Sequence, residues 1–235
     1  MDVLQEFSRS KSLNNVPKRK LYEKIELLNK EQDHKIKVLK VNAANRYYES
    51  NIPIDYWSLK MEKDFQGDPR LLKFYNDYTT NIKKNYTSGS SFCLAGNYGL
   101  GKTMAACCVL KKCVEMNFSC LYTTLSDIVA TLSSSDSEDK FTARRELCMV
   151  DFLVIDEFDS RFISTDNAAD LYARTLESIF RTRAQNKLPT LMCTNSPNIL
   201  ETFNGALKKS IESLMTGYMK IFPVFGDDFR KKLKP

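Results

Sequence analysis

The stretch Gly96-Asn97-Tyr98-Gly99-Leu100-Gly101-Lys102-Thr103 fits G-x-x-x-x-G-K-[ST], the glycine-rich loop that cradles phosphates. Its setting constrains the fold more than the match does. The short apolar run Phe92-Cys93-Leu94-Ala95 precedes it, and Met104 to Leu110 reads as helix. A buried strand, a glycine-rich turn and a helix N-terminus, in that order, predict an α/β chain. The loop's N–H groups and the positive end of the helix dipole then converge on one anion. Gly96 to Met104 is the expected nucleotide-binding segment. Within it Lys102 would reach the β- and γ-phosphates, and Thr103 would ligate Mg²⁺. The motif points to ATP or GTP.

A loop that binds phosphate needs a second half to do chemistry. Phe152-Leu153-Val154-Ile155 is a continuous apolar run followed at once by Asp156 and Glu157. The run predicts a buried strand with two carboxylates at its C-terminal end, where ligands bind in open α/β sheets. Asp156 would hold Mg²⁺ through its water shell. Glu157 would orient or deprotonate the attacking water. A third strand, within Pro189 to Asn195, also ends in polar residues, and Asn195 could position that water near the γ-phosphate. Each element alone fits any α/β core; their order is the specific signal.

The remaining pattern agrees with such a core. Strands are expected at Ser119–Thr124, Phe152–Ile155 and within 189–195, with helices at Leu125–Leu132, Phe141–Met149 and Ala168–Ala184 between them. This alternation predicts a parallel sheet covered by helices on both faces. Ser133 to Asp139 reads as a polar loop. Upstream, residues 69–84 read as helix, Asn85 to Ser91 as turn chemistry, and Asn51 to Trp57 as an extended lead-in, because Pro53 biases Ile52 away from helix. Residues 1–20 are polar and read as flexible. From Leu21 to about Tyr48 a helical stripe recurs through Leu21, Ile25 and Leu28. It would serve either as packing on the same domain or as an arm that docks on a partner. The expected division is a basic helical arm over 1–50 and an ATPase domain over 51–235.

Composition sets the outer limits. The 235 residues are 43% hydrophobic and carry a formal net charge of +6. Basic residues gather near both ends, from Arg9 to Lys20 and from Arg230 to Lys234. Such ends suit a polyanion and equally suit a solubilising tail. No run approaches ~18 uninterrupted apolar residues, so no transmembrane helix is expected. The first residues lack a basic region leading into an apolar stretch, so no signal peptide is expected either. Seven cysteines, most in apolar stretches and none in a C-x-x-C pair, predict reduced core thiols in a cytoplasmic protein rather than a zinc site.

With these parts in place the chain resembles the AAA+ ATPases, and within them the DnaC/IstB-like group of replicative helicase loaders and transposition helper ATPases. Ile52-Pro53-Ile54-Asp55-Tyr56-Trp57 resembles the segment ahead of that group's ATPase core. Ile179 to Arg183, followed by Leu188-Pro189-Thr190, resembles the helix and strand leading to its sensor 1. Phe225-Gly226-Asp227-Asp228-Phe229-Arg230 resembles its closing motif. The resemblance implies a P-loop NTPase (AAA+) core and an ATP- and Mg²⁺-dependent enzyme. It implies roles in phosphate binding for Lys102, metal binding for Thr103 and Asp156, and hydrolysis for Glu157, with Asn195 as sensor 1 and Arg230 as sensor 2. It also implies a hexameric replicative helicase and single-stranded DNA as partners, with ATP-dependent self-association. The alternatives are a transposition helper acting on duplex DNA and an ATP-dependent adaptor with little turnover.

Two departures stand out. In that group an arginine in a [DS]-R-L setting acts in trans on the neighbouring subunit's ATP. Here the stretch reads Ser210-Ile211-Glu212-Ser213-Leu214-Met215, with Leu214 at the arginine's place. Hydrolysis would then be slow, or Lys208, Lys209, Lys220, Arg181 or Arg183 would substitute. No cysteine precedes Cys93, so the zinc-binding N-terminal domain of some loaders is not expected. Lys111, Lys112, Arg144 and Arg145 are candidate DNA contacts.

Overall fold

The computed structural model describes residues 34–133, 137–158, 167–196 and 205–228. Helix α1 (His34–Glu49) leads through a single 3₁₀ turn (Ile54–Tyr56) to the short α2 (Met61–Asp64), then α3 (Pro69–Thr80) and α4 (Ile82–Ser88). The core follows as β1 (Ser91–Ala95), α5 (Lys102–Glu115), β2 (Cys120–Thr124), α6 (Leu125–Ser133), α7 (Ser137–Met149) and β3 (Phe152–Asp156). It closes with α8 (Asn167–Gln185), β4 (Thr190–Thr194), α9 (Gly205–Tyr218) and β5 (Met219–Pro223). The strands form one sheet in the order β2-β3-β4-β1-β5, and every pairing is parallel. Among the described residues no helix is long and apolar enough to cross a membrane.

Strand side chains alternate between faces with period two, and both faces of this sheet are dry. Phe92, Leu94, Phe152, Val154, Leu191 and Cys193 pack on one side with α1, α3, α4 and α5. Cys93, Leu153, Ile155 and Met192 pack on the other with α6, α7, α8 and α9. Apolar runs, rather than alternating ones, are therefore what β1, β3 and β4 require. Helix α5 is apolar nearly all round because it lies between the sheet and an outer helical layer. All seven cysteines are buried and free, as expected of core thiols. Burial pushes the Cys93 thiol up to about 12.

Several local expectations are corrected. The lead-in is not extended throughout: Ile54–Tyr56 closes a 3₁₀ turn, with Pro53 held at ψ 134° just before it. The helix expected over 69–84 is two helices broken at Asn81, and the second continues to Ser88. It stops at Gly89, which takes the left-handed conformation (φ 67°) that ends helices. Helix α7 starts four residues before Phe141, inside the expected polar loop. Helix α9 and the edge strand β5 were not expected as elements. Of the helical stripe, residues 21–33 lie outside the described residues. The end of α1 packs on the core through Ala44 and Tyr47, whose hydroxyl donates to Glu115 at 2.8 Å.

One cation serves the fold alone. Arg183, 1% exposed, ends α8 with its guanidinium donating to the carbonyls of Leu147, Val150 and Pro189 and to Thr190 Oγ1, all at 2.8–2.9 Å. Burial lowers its pKa to about 10, so it stays charged at neutral pH. It ties α7, α8 and β4 together, which removes it from the candidates for a trans-acting arginine.

Candidate functional site

The C-terminal ends of β1, β3 and β4 and the start of α5 meet at one cavity of about 690 Å³. Its lining includes Tyr98, Gly99, Leu100, Gly101, Lys102, Thr103 and Met104 from the loop and the first turn of α5, Asp156 and Glu157 at the end of β3, and Asn195 just after β4. Residues far apart in sequence thus share one surface, and the parallel sheet is what brings them there.

The loop adopts a shape that side chains would block. Gly99 has φ 74°, and a Cβ there would run into the Asp228 carboxylate. A Cβ on Gly96 would strike the Val224 carbonyl, at the point where Val224 N–H donates to Ala95 O. The chain leaving β5 therefore crosses directly beside the loop. Helix α5 starts at Gly101 with no side-chain cap and no acidic residue in its first turn, leaving its positive end to the cavity.

Lys102 is 5% exposed. Its Nζ donates to Gly96 O (2.8 Å), Asn97 O (2.6 Å) and Asn195 Oδ1 (2.9 Å). The last bond joins the loop to the end of β4 directly. Asp156 is equally buried, with Oδ1 accepting from Glu157 N–H and Oδ2 from the Tyr122 hydroxyl, both at 2.8 Å. Burial first, and the Asp156 charge next, push the Tyr122 hydroxyl far up, so it keeps its proton and donates.

Glu157 sits at φ 51°, unusual for a residue with a side chain. The conformation is fixed on both sides: by its own N–H to Asp156, and by Phe158, fully buried, whose N–H donates to Cys193 O at 2.9 Å. Strand β3 ends in this turn, which separates the buried Asp156 from the exposed Glu157 while both line the cavity.

A further wall is formed by Asp55, Tyr56, Leu59, Lys63, Asp64 and Gln66. Burial raises the Tyr56 hydroxyl to about 12, with Asp156 and Asp55 adding to the shift. Neither this wall nor Tyr122 was singled out from sequence. The lead-in motif hinted at the wall; nothing local marks Tyr122. Arg230 lies outside the described residues. Lys111, offered above as a DNA contact, is buried and bonded to backbone carbonyls. Lys112, Arg144 and Arg145 are exposed.

A glycine-shaped loop, an uncapped helix end and a buried ammonium are suited to a polyphosphate. Thr103 and Asp156 offer the oxygen donors that a small hard cation takes up beside phosphate. The family described as ATPase family associated with various cellular activities (AAA) matches residues 92–213, more than half of the chain. The chain belongs to the AAA family of ATPases. Solved structures agree at the level of fold. A DNA replication initiation factor is 16% identical, with 75% of this chain covering 52% of that one at a TM-score of 0.57. Replication initiator DnaA bound to AMPPCP and single-stranded DNA is 15% identical, with coverage of 77% and 55% and a TM-score of 0.59. The DnaC helicase loader is 15% identical, with coverage of 74% and 100% and a TM-score of 0.58. The AAA chain thus spans about half the length of the first two and all of the third. By sequence it matches no curated protein.

Proposed function

We propose that this AAA ATPase is a helicase loader for DNA replication, of the DnaC/IstB-like kind. It would bind a hexameric replicative helicase and single-stranded DNA, with assembly switched by ATP. The observation that carries the nucleotide part is the convergence of Lys102, Asp156, Glu157 and Asn195 on one cavity, with Lys102 bonded to Asn195 across 93 residues of sequence. The loader part is supported by the softer lead-in and closing motifs and by a fold that covers the whole of the DnaC helicase loader structure.

Lys102 would exchange its backbone acceptors for β- and γ-phosphate oxygens, which are stronger acceptors for an ammonium. That exchange releases Asn195, so the end of β4 senses whether a γ-phosphate is present. Glu157, exposed at the strand end, would take the proton of the attacking water. Thr103 and Asp156 would hold Mg²⁺, which supplies charge neutralisation at the phosphates. Arg230 would act as sensor 2, adding a contact to the phosphates. A change in what Lys102 and Asn195 hold is the kind of local event that biases subunit packing.

The test is co-elution with hexameric replicative helicases, with ATP·Mg²⁺ and without nucleotide. Wild type would be compared with a variant lacking residues 1–33. The cut falls before His34 because Ala44 and Tyr47 belong to the core. A complex lost on truncation is expected; no complex with any helicase, together with ATP-dependent filaments on duplex DNA, would move the assignment to a transposition helper. A second reading, an ATP-switched adaptor with little turnover, is favoured by Leu214 at the arginine's place and by the structural commitment of Arg183. It predicts hydrolysis that neither DNA nor self-association stimulates.

A further inference from the structure

Lys111 is 7% exposed, and its ammonium is spent on backbone. Nζ donates to Tyr56 O at 2.8 Å, to Trp57 O at 3.3 Å and to Leu59 O. All three carbonyls belong to one segment, and Cys108 Sγ bonds the Leu59 carbonyl as well, at 3.6 Å. From the other side, Trp57 Nε1 donates to Ile52 O at 2.8 Å. Burying an ammonium is costly, and burial lowers the Lys111 pKa. A methionine would fill the same space without that cost. What the lysine adds is the geometry of three carbonyls turned toward one point.

That segment is a wall of the same cavity that the phosphate loop lines, since Tyr56 and Leu59 border it with Asp55. Lys111 sits on α5, whose first turn carries Lys102. At 1.5 Å per residue the two lysines are about 13 Å apart along a rigid helix. One end of α5 is therefore placed for phosphates, and the other fixes the wall that a nucleoside would meet.

We propose that Lys111 is a positioning residue for nucleoside recognition: by holding the Tyr56–Leu59 backbone at a set distance from the phosphate loop, it fixes the surface on which the base and ribose pack. The inference rests on the reading of this cavity as a nucleotide site. A wall already in place costs no ordering when the ligand arrives. Lys111 then governs affinity for a nucleoside triphosphate and leaves affinity for the triphosphate chain alone unchanged.

Calorimetric titration with ATP and with inorganic triphosphate, on wild type and Lys111→Met, tests this. The expected result is a dissociation constant for ATP raised about tenfold in the variant, as when a preorganised wall is lost, with triphosphate binding unchanged. Equal weakening of both ligands would reveal a general lesion and overturn the proposal, as would unchanged ATP binding. Wild type that binds triphosphate but gains nothing from the nucleoside overturns it too; wild type that binds neither ligand overturns the nucleotide reading itself. Should Lys111→Met fail to fold, amide exchange on wild type decides. Slowing at Tyr56–Lys60 with ATP and not with triphosphate is expected, and equal slowing with both overturns the proposal.

Discussion

Glu157 and Asn195 each follow the end of a different strand and line one cavity, so their effects on hydrolysis should not be independent. Glu157 stands on a strained backbone held by two hydrogen bonds, neither of which involves its carboxylate. Glu157→Gln keeps the shape and removes the base. Turnover is expected to fall at least about 10²-fold, the usual scale for losing a general base, with ATP binding retained. Asn195→Ala frees Lys102 from one acceptor and leaves the loop carbonyls to hold it. Binding should again persist, with turnover reduced. If both residues act on the same water, the double variant will be no slower than Glu157→Gln alone. Single-turnover hydrolysis in the four proteins measures this, and multiplicative losses would show that Asn195 works elsewhere. Lys102→Ala should instead abolish binding, since no other cation of the described loop lines the cavity.

At the scale of elements, the segment after β5 is held against the start of α3 by one carboxylate. Asp68, its side chain 5% exposed, caps α3 through the Arg70 N–H and pairs with the Arg70 guanidinium at 2.6 Å. It also accepts from Phe225 N–H at 3.3 Å, while the Arg70 guanidinium lies 4.9 Å from the centre of the Phe225 ring. The pairing with Arg70 first, and the backbone donors after it, hold the Asp68 carboxyl at about 2, below its ordinary 3.8. A depressed carboxylate stabilises the fold above its unfolded pKa, and that stability is lost as pH falls through the folded value. Asp68→Ala should cost about 1 kcal/mol at neutral pH, the scale of a lost N-cap. The gap in melting temperature between wild type and variant should then close as pH falls from about 4 to about 2. A gap that is constant over that range would mean the charge of Asp68 contributes nothing.

The same scale explains what could be read in advance. The phosphate loop, β3 with Asp156 and Glu157, and β4 with Asn195 were legible because each is a contiguous run whose pattern is complete within a few residues. Tyr122, Lys111 and Arg183 were not. Their partners lie 34, 52–55 and up to 36 residues away, and a tyrosine, lysine or arginine inside an element carries no local mark of what it touches. Edge strand β5 escaped for another reason. No residue of Met219–Pro223 is fully buried, Lys220 interrupts its apolar residues and Pro223 ends it, so the stretch lacks the continuous apolar run of a central strand. Helix α4 was hidden by Asn85, Thr87 and Ser88, turn-forming residues that the adjoining Gly89 cap lets finish a helix.

For the whole molecule, what counts is the charge that one chain brings to the cavity. Among the described residues that line it, the cations are Lys63 and Lys102, and none is an arginine. An arginine contributed to the γ-phosphate is worth 10³-fold or more in related phosphoryl-transfer sites. Arg183 is fixed in the fold, and Arg181 is paired with Glu177 at 2.8 Å on the surface of α8. If the missing charge comes from a neighbouring copy, turnover per chain must depend on assembly. Specific ATPase activity is then expected to rise with protein concentration and to level off once the chains are associated, as followed by light scattering on the same samples. Mixing in a Glu157→Gln chain separates donor from acceptor. That variant cannot hydrolyse in its own cavity but can still complete a neighbour's, so at low wild-type concentration it should raise the wild-type rate. An activity per chain that is flat across concentration, with the variant acting only as a diluent, would place the whole rate within one chain and leave Arg230 as the residue to substitute next.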